Sequence, residues 1–426
     1  MKYFFLAQFL LISAFGFSQI LSGPMIGHQT PQETKIWLQT EVPSVLSIMY
    51  SSKSEASQTI IANTHQENWN TITIQFERLN PNTLYNYTIT SSGKLLFEGT
   101  FTTPQILDTR NLPNYSLAFG SCTYINEEQN AQVEESFGRS LDIISSIQKT
   151  KPDFMLWLGD NIYLRKGEWR SKTGVYNRYT DFKSQPELQS FWQNTTHYAI
   201  WDDHDFGPND ADRSFVNKDI TLQAFKDFWA NPTYGVNGQS GITTQFSYQD
   251  VEFFLLDNRF FRSPNERKTR KREILGKAQI EWLVDALVNS KANFKFVVVG
   301  GQFISDAAVY ENHATYPEER DYLLSLIESE GLKNIVFLTG DRHKTELSKL
   351  QLENGTALYD FTSSPMASKA FDSEHEGNNN QVKGTHVATQ NFGSITVSGD
   401  NEHRVLLLKT FDASGKLLWE HEIQKQ

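Results

Sequence analysis

Two hydrophobic rhythms divide this chain. Over residues 20–103 apolar and polar residues alternate in short stretches, TKIWLQTEV, SVLSIMYSS, TITIQFERL, LYNYTITS and KLLFEGTFTTP, separated by turn residues. A period of two marks strands with one buried face, and several such strands at short spacing predict an all-β sandwich. From residue 115 the rhythm changes. SLAFG (116–120), FMLWL (154–158), YAIW (198–201), FKFVVV (294–299) and NIVFL (334–338) are unbroken apolar runs with amphipathic stretches between them. Runs of this kind predict strands buried on both faces, and their alternation with helices predicts parallel pairing under helices on both faces.

Within the first region, LNPNTLYNYTI places a Tyr shortly after a Pro-Asn turn, as at the corners of such sandwiches. A fibronectin-III-like sandwich over 19–104 is expected, followed by a linker, PQILDTRNLPN (104–114). The α/β region then runs over 115–426. Helices are expected at 131–148, 219–230, 277–290 and 318–330. QFSYQDVEFFLLDNR reads as two strands, and 358–365, 394–398 and 403–410 complete the sheet. Segment 164–197 is rich in Arg, Lys and aromatics and too long for a plain connection, which predicts a lid or site wall. SEHEGNNNQVKGTH (373–386) predicts a mobile surface loop.

The bulk properties add three constraints. MKYFFLAQFLLISAFGFSQ has one Lys and a short apolar run, the pattern of a secretory signal peptide over 1–18. The run is too short to span a bilayer, and no later segment reaches spanning length, so a secreted or periplasmic protein without a membrane span is expected. The net charge of −11 argues against a nucleic acid held by a basic surface. A single Cys in an exported chain excludes an internal disulfide and calls for another role.

That role follows from how the apolar runs end. SLAFGSCTY stops at Cys122 and Tyr124, FMLWLGDNIY at Asp160 and Tyr163, YAIWDDHDFGPND at Asp202, Asp203 and His204, and NIVFLTGDRH at Asp341 and His343. Ligands of open α/β sheets gather beyond the carboxyl ends of the strands. Thiol, phenol, carboxylate and imidazole delivered to one edge describe a metal-centred active site. Each oxygen of the Asp160 carboxylate can bind one cation. Packing Asp202, Asp203 and Asp205 together is costly unless cations neutralise them. Asp203 is the ligand expected there, Asn209 a neutral oxygen ligand, and His204 a general acid whose tautomer Asp205 or Asp202 holds. Asp341 and His343, two apart, can address one site. Arg342 is a candidate phosphate clamp, and Arg259 either binds an anion or pairs with Asp257.

Taken as a set and in order, FGSCTY, GDNIY, WDDHDFGPND, LDNR, GGQ and TGDRH resemble the PhoD-type alkaline phosphatases of the calcineurin-like metallophosphoesterase superfamily. The resemblance covers nearly all of 20–410. It implies an α/β catalytic domain of αββα layers with mixed sheets behind the N-terminal sandwich. It also implies that Cys122, Asp160 and Tyr163 are ligands of a ferric ion (Fe3+). Asp160 would bridge to calcium (Ca2+), with Asp203, Asn209, Asp341 and His343 completing the cluster and His204 acting near the leaving group. The leader lacks the twin-Arg pair common in that family, which leaves Zn2+ or Mn2+ as alternatives.

The expected activity is hydrolysis of phosphomonoesters or phosphodiesters by attack of a metal-activated hydroxide, with a phosphate ester as the substrate partner of a monomer. One alternative is a phospholipase-D-type phosphodiesterase, for which Trp169, Tyr176 and Tyr179 beside Arg165 and Arg170 would suit an amphiphilic ester. Another is a surface glycan-binding or adhesion protein with structural metals.

Overall fold

A computed structural model describes residues 19–126 and 137–426 of the chain. The expected signal peptide and residues 127–136 of the chain lie outside the described residues. Seven strands come first: β1 Ile20–Thr30, β2 Glu33–Thr40, β3 Val45–Ser51, β4 Gln58–Asn63, β5 Thr71–Phe76, β6 Leu84–Ser91 and β7 Lys94–Thr102. Strands β4-β3-β6-β7 form one sheet, while β1, β2 and β5 pair antiparallel opposite it. The alternation read from the sequence supplies the core between them, with Ile36, Leu38, Ile74 and Phe76 facing Leu46, Ile48, Tyr85, Tyr87 and Phe101. The Tyr85 hydroxyl accepts the Asn80 backbone N–H at 2.8 Å and donates to Glu55, which fixes the turn before β6.

The remaining elements are β8 Tyr115–Gly120, α1 Ile143–Lys149, β9 Phe154–Leu158, α2 Lys172–Lys183, α3 Pro186–Asn194, β10 Thr196–Ile200, α4 Asp203–Phe206 and α5 Lys218–Phe228. They continue with β11 Thr244–Tyr248, β12 Val251–Leu255, α6 Lys277–Asn289, β13 Phe294–Val298, α7 Pro317–Ser329, β14 Ile335–Thr339 and β15 Glu346–Gln351. The chain closes with β16 Ala357–Thr362, β17 Asn391–Ser398, β18 Val405–Asp412 and β19 Leu417–Gln424. Two mixed sheets result. One has the order β19-β18-β17-β8-β9-β10-β1-β2-β5, the other β11-β12-β13-β14-β16-β15. The first sheet crosses the 104–114 linker through a parallel pairing of Ile26 with Thr196.

The two sheets pack face to face. Phe119 meets Phe361 at 4.8 Å and Phe154 meets Phe253 at 5.3 Å between ring centroids. On the outer face of the first sheet Trp157 packs against Phe182 of α2 and Trp192 of α3. Helices α6 and α7 cover the outer face of the second, burying Leu283, Leu323 and Ile327 against Phe254, Val297 and Phe337. Among the described residues each sheet therefore carries helices on one face, not on both. An all-apolar strand is compatible with a helix or a second sheet on either side, so the run alone does not distinguish them.

Three expectations change. Of the expected 131–148 helix, 131–136 lie outside the described residues, 137–142 are not helical, and helix α1 spans Ile143–Lys149. Segment 164–197 is not a lid: α2 and α3 pack into the core with Val175, Tyr176, Tyr179, Phe182, Leu188, Phe191 and Trp192 buried. The aromatics offered for an amphiphilic ester thus face the interior, Tyr179 stacked on Phe228 at 5.0 Å. Segment 373–386 is a strap, not a free loop. Glu376 binds Arg342, Asn378 binds Glu346 and Ser348, and the Val382 N–H donates to the Leu347 carbonyl. Strands β15 and β19 escaped notice because their sequences, ELSKLQ and LLWEHEIQ, are largely polar.

Candidate active site

The ends of β8, β9, β10 and β14 meet along one edge. Parallel register brings them level, with Gly120 beside Trp157 and Leu158 beside Ile200. Just past them the backbone turns sharply. Cys122, Asp160, Asp341 and His343 all adopt left-handed backbone conformations (φ +60, +50, +68 and +52). Non-glycine residues take that conformation at a cost, and such residues concentrate at functional sites. Glycine is needed where the ends touch. A Cβ on Gly159 (φ +91) would lie 2.8 Å from the Cβ of Asp202, and one on Gly300 would lie 2.3 Å from its Oδ2.

The expected ligands converge. Cys122 Sγ lies 3.5 Å from Asp160 Oδ2, and the Tyr163 hydroxyl is 3.2 Å from both that oxygen and His343 Nε2. The ligand atoms of Cys122, Asp160 and His343 lie within 4.8 Å of one another, as do those of Asp160, Asp203 and His204, and those of Asp202, Asp203 and Asp341. Asp160 belongs to the first two groups and Asp203 to the last two, so the three sets form one chain of donors. The His343 ring is oriented from behind, its Nδ1 lying 2.5 Å from the Lys369 carbonyl. Cys122 accepts from Ser364 Oγ at 3.1 Å.

Charge is crowded here. Burial, then the neighbouring Asp203, pushes the Asp160 carboxyl well above the usual carboxylate range. Burial and Asp202 do the same to Asp341. Burial also acts on Asp203, but the pull of His204 and Arg259 outweighs it and holds that carboxyl below its ordinary value. Burial lowers the His204 imidazole against the opposing pull of Asp203 and Asp202. Asp202 Oδ2 and Asp203 Oδ1 are buried without a hydrogen-bond partner. Buried, unpartnered carboxylate oxygens are costly and are found paired or on metals. The donor set fits cations: thiol, phenol and imidazole suit a transition metal, and the carboxylates suit a hard ion.

Several expected roles need correction. Asp205 does not hold the His204 ring. Its carboxylate accepts the N–H groups of Asp202 (3.0 Å), Asn161 (3.3 Å) and Ile162 (3.2 Å), lacing two strand ends together, and burial raises it to about 7. Asp202 is likewise engaged elsewhere, by Arg259 Nε at 2.5 Å and Asn258 Nδ2 at 2.8 Å. Arg259 is wholly buried, paired with Asp202 and with Glu311 at 2.5 Å, and meets Asp257 only through its backbone N–H. Arg342 is held by both oxygens of Glu376 at 2.7 and 2.8 Å. The buried carboxylate partners of Arg259 close it to a substrate in this arrangement, whereas Arg342 shares Glu376 with Lys344 and keeps a buried Nε without a hydrogen-bond partner. Asn209 lies exposed on the turn. The adjacent Asp210 faces the cluster instead, its backbone N–H donating to Asp203 Oδ2 at 2.8 Å.

Ser364, within a TSSP stretch whose hydroxyls are legible in the sequence, Glu311, Asn258 and the Lys369 carbonyl complete the surroundings, and sequence reasoning missed the last three. Of these three, only Asn258, inside LDNR at a strand end, carried a local signal. Gln302 is buried and bonds Glu346 and Thr362, away from the cluster.

Comparison with known proteins gives the family and the fold. The profile of the family described as PhoD-like phosphatase matches residues 117–405. Alkaline phosphatase D of Bacillus subtilis (strain 168) is 24% identical over a match covering 66% of this chain and 54% of that protein. The chain thus spans about half the length of this curated relative. A solved structure of PhoD superposes with a TM-score of 0.77 at 16% identity, covering 94% of this chain and 90% of that one.

Proposed function

We infer that this chain, which belongs to the PhoD-like phosphatase family, hydrolyses phosphate mono- or diesters with the aid of metal ions held by its strand-end cluster. The observation that carries this reading is the joining of Cys122, Asp160 and His343 to Asp203, His204 and Asp341 through shared carboxylates within 4.8 Å. Cations bound there supply Lewis-acid polarisation of a phosphoryl oxygen and activation of a water nucleophile.

The residues divide the work by donor type. Cys122, Asp160, Tyr163 and His343 would hold a ferric ion, and Asp160, common to both donor sets, would also serve a calcium ion alongside Asp203 and Asp341. Zinc or manganese is the alternative filling. His204, tilted against the Tyr163 ring at 4.3 Å between centroids, would protonate the departing oxygen, with Asp203 holding that proton in reach. Arg259 fixes the Asp202 carboxyl and opposes the burial that raises it, so its part is positioning. The unpartnered oxygens of Asp202 and Asp203 support the reading, since each calls for a cation.

Residues 1–18 are read as an export leader, 19–104 as a fibronectin-III-type sandwich and 115–426 as a catalytic domain of the calcineurin-like type. The turn pinned by Tyr85 and the face-to-face sheets support these assignments. An aryl phosphate and a bis-aryl phosphate test the activity. Chelation should abolish turnover of both, and readdition of iron with calcium should restore it. Full turnover in excess chelator after dialysis would refute the metal-dependent reading.

A further inference from the structure

The rings nearest the cluster form a continuous row. Centroid distances are 4.3 Å from His204 to Tyr163, 4.9 Å to Tyr124, 5.7 Å to Phe137 and 6.4 Å to Phe371. Phe371 then returns to His343 at 5.3 Å. The row begins and ends on imidazoles of the cluster. Its outer members stand in water, Phe137 being 42% and Phe371 41% exposed. Large aromatic surface left in solvent beside a reactive centre marks a ligand-binding face.

These rings are set by the backbone that sets the cluster. The Phe371 N–H donates to the His343 carbonyl at 2.9 Å, and the Lys369 N–H donates to the Phe137 carbonyl at 2.7 Å. The Lys369 carbonyl in turn meets His343 Nδ1. Two exposed phenylalanines are thus preorganised relative to the same imidazole. The Arg165 guanidinium lies 3.8 Å over Tyr124, which backs the middle of the row. Aromatic rings attract other rings beyond simple area burial, so the exposed surfaces of Phe137 and Phe371 favour a planar occupant.

We propose that Tyr124, Phe137 and Phe371 form a recognition wall for a planar aromatic group on the alcohol side of the ester. The assignment of that side rests on the reading of His204, at the start of the row, as the group that protonates the departing oxygen. The proposal rests on the reading of the cluster as the hydrolytic centre. The consequence is a preference for aryl- or nucleobase-bearing esters over aliphatic esters of equal leaving-group acidity.

Benzyl phosphate and cyclohexylmethyl phosphate form the matched pair, with a nucleoside 5′-monophosphate against ribose 5-phosphate as the second. The metal-loaded protein should favour the aromatic member of at least one pair by about tenfold in kcat/KM, carried by KM. Phe137→Leu and Phe371→Leu keep apolar bulk but remove the π face, and each should bring that ratio toward one. Phe371→Trp should keep it. A ratio near one for both pairs in the wild type, or a ratio unchanged in both leucine variants, overturns the proposal. Calorimetric binding of benzylphosphonate against cyclohexylmethylphosphonate reads the wall without turnover. Tighter binding of the benzyl compound with no hydrolysis of any ester would sink the hydrolytic reading while sustaining the wall. Equal binding alongside normal hydrolysis would do the reverse.

Discussion

The thiol of Cys122 sits 3.5 Å from the Asp160 carboxylate, both fully buried and both carried on left-handed turns at the ends of adjacent parallel strands. Burial and hydrogen bonding alone do not account for this pairing. Burial raises the thiol above its ordinary value, as it does the carboxyl, so the fold disfavours the charged form of both groups in the absence of a cation. A metal that displaces their protons would turn this buried corner into a binding site.

Removal of the thiol is therefore predicted to act on metal content before stability. Cys122→Ala should lose the transition metal while retaining the harder ion, because the carboxylates of Asp203 and Asp341 remain. Elemental analysis of the purified variant checks this. Iron or its substitute at wild-type occupancy would remove Cys122 from the ligand set.

Arg259 offers a prediction about stability. Its guanidinium neutralises Asp202 and Glu311 at 2.5 Å each, with all three buried. Breaking a buried pair by deleting one partner leaves the other charge uncompensated, at a cost of about 3–5 kcal/mol. Arg259→Met should lower the midpoint of denaturant unfolding accordingly. Arg259→Lys should recover only part, since a point charge cannot serve both carboxylates as a fork does. A Met variant as stable as the wild type would show that the network contributes nothing.

His204→Ala is expected to separate substrates by leaving group. Alkyl esters need a proton on the departing oxygen and should slow by about 10²-fold or more, while aryl phosphates should slow far less. Equal losses on both would deny His204 the acid role.

Acid stability should be governed by histidines outside the site. Burial lowers His197 to about 3, with its ring fixed between Trp157 Nε1 at 3.2 Å and the Phe191 carbonyl at 3.0 Å. Burial likewise lowers His313 to about 3. Both are depressed relative to the unfolded chain, so the fold requires the neutral rings. Their contribution is complete above about pH 6.5 and is lost as pH falls toward about 3, at up to about 1.4 kcal/mol per unit for each ring. His197→Gln should flatten the fall of the unfolding free energy between those limits. An unchanged slope would mean that His197 accepts a proton within the fold.

Much of the fold and of the cluster could be read from local pattern, for a physical reason. A buried strand must be apolar, so the switch to Cys122, Asp160, Asp203 and Asp341 at its end stands out against the run before it. Partners set by tertiary packing leave no such mark. Glu311 lies in a polar loop, and nothing around it announces Arg259. Of the three neighbouring acids of DDHD, Asp202 and Asp205 were assigned to the His204 ring, which neither holds. The spacing of Asp202 and Asp205 is that of an N-cap and its third helical residue, and the two form a reciprocal capping box at α4. That spacing was visible and would have taken Asp205 away from His204. Helix placement over the sheets was not visible, because both faces of each core strand are apolar.

Asp160→Asn tests the central claim most directly, because the account makes this carboxylate common to both ions. Metal content and hydrolysis of an aryl phosphate are to be measured on the same preparation, with circular dichroism to confirm the fold. The account predicts more than one ion per chain in the wild type, depletion of both kinds in the variant, and a fall in kcat/KM of about 10³-fold or more, the loss of several kcal/mol of transition-state charge stabilisation. A folded variant with wild-type metal content and near-wild-type turnover would contradict it.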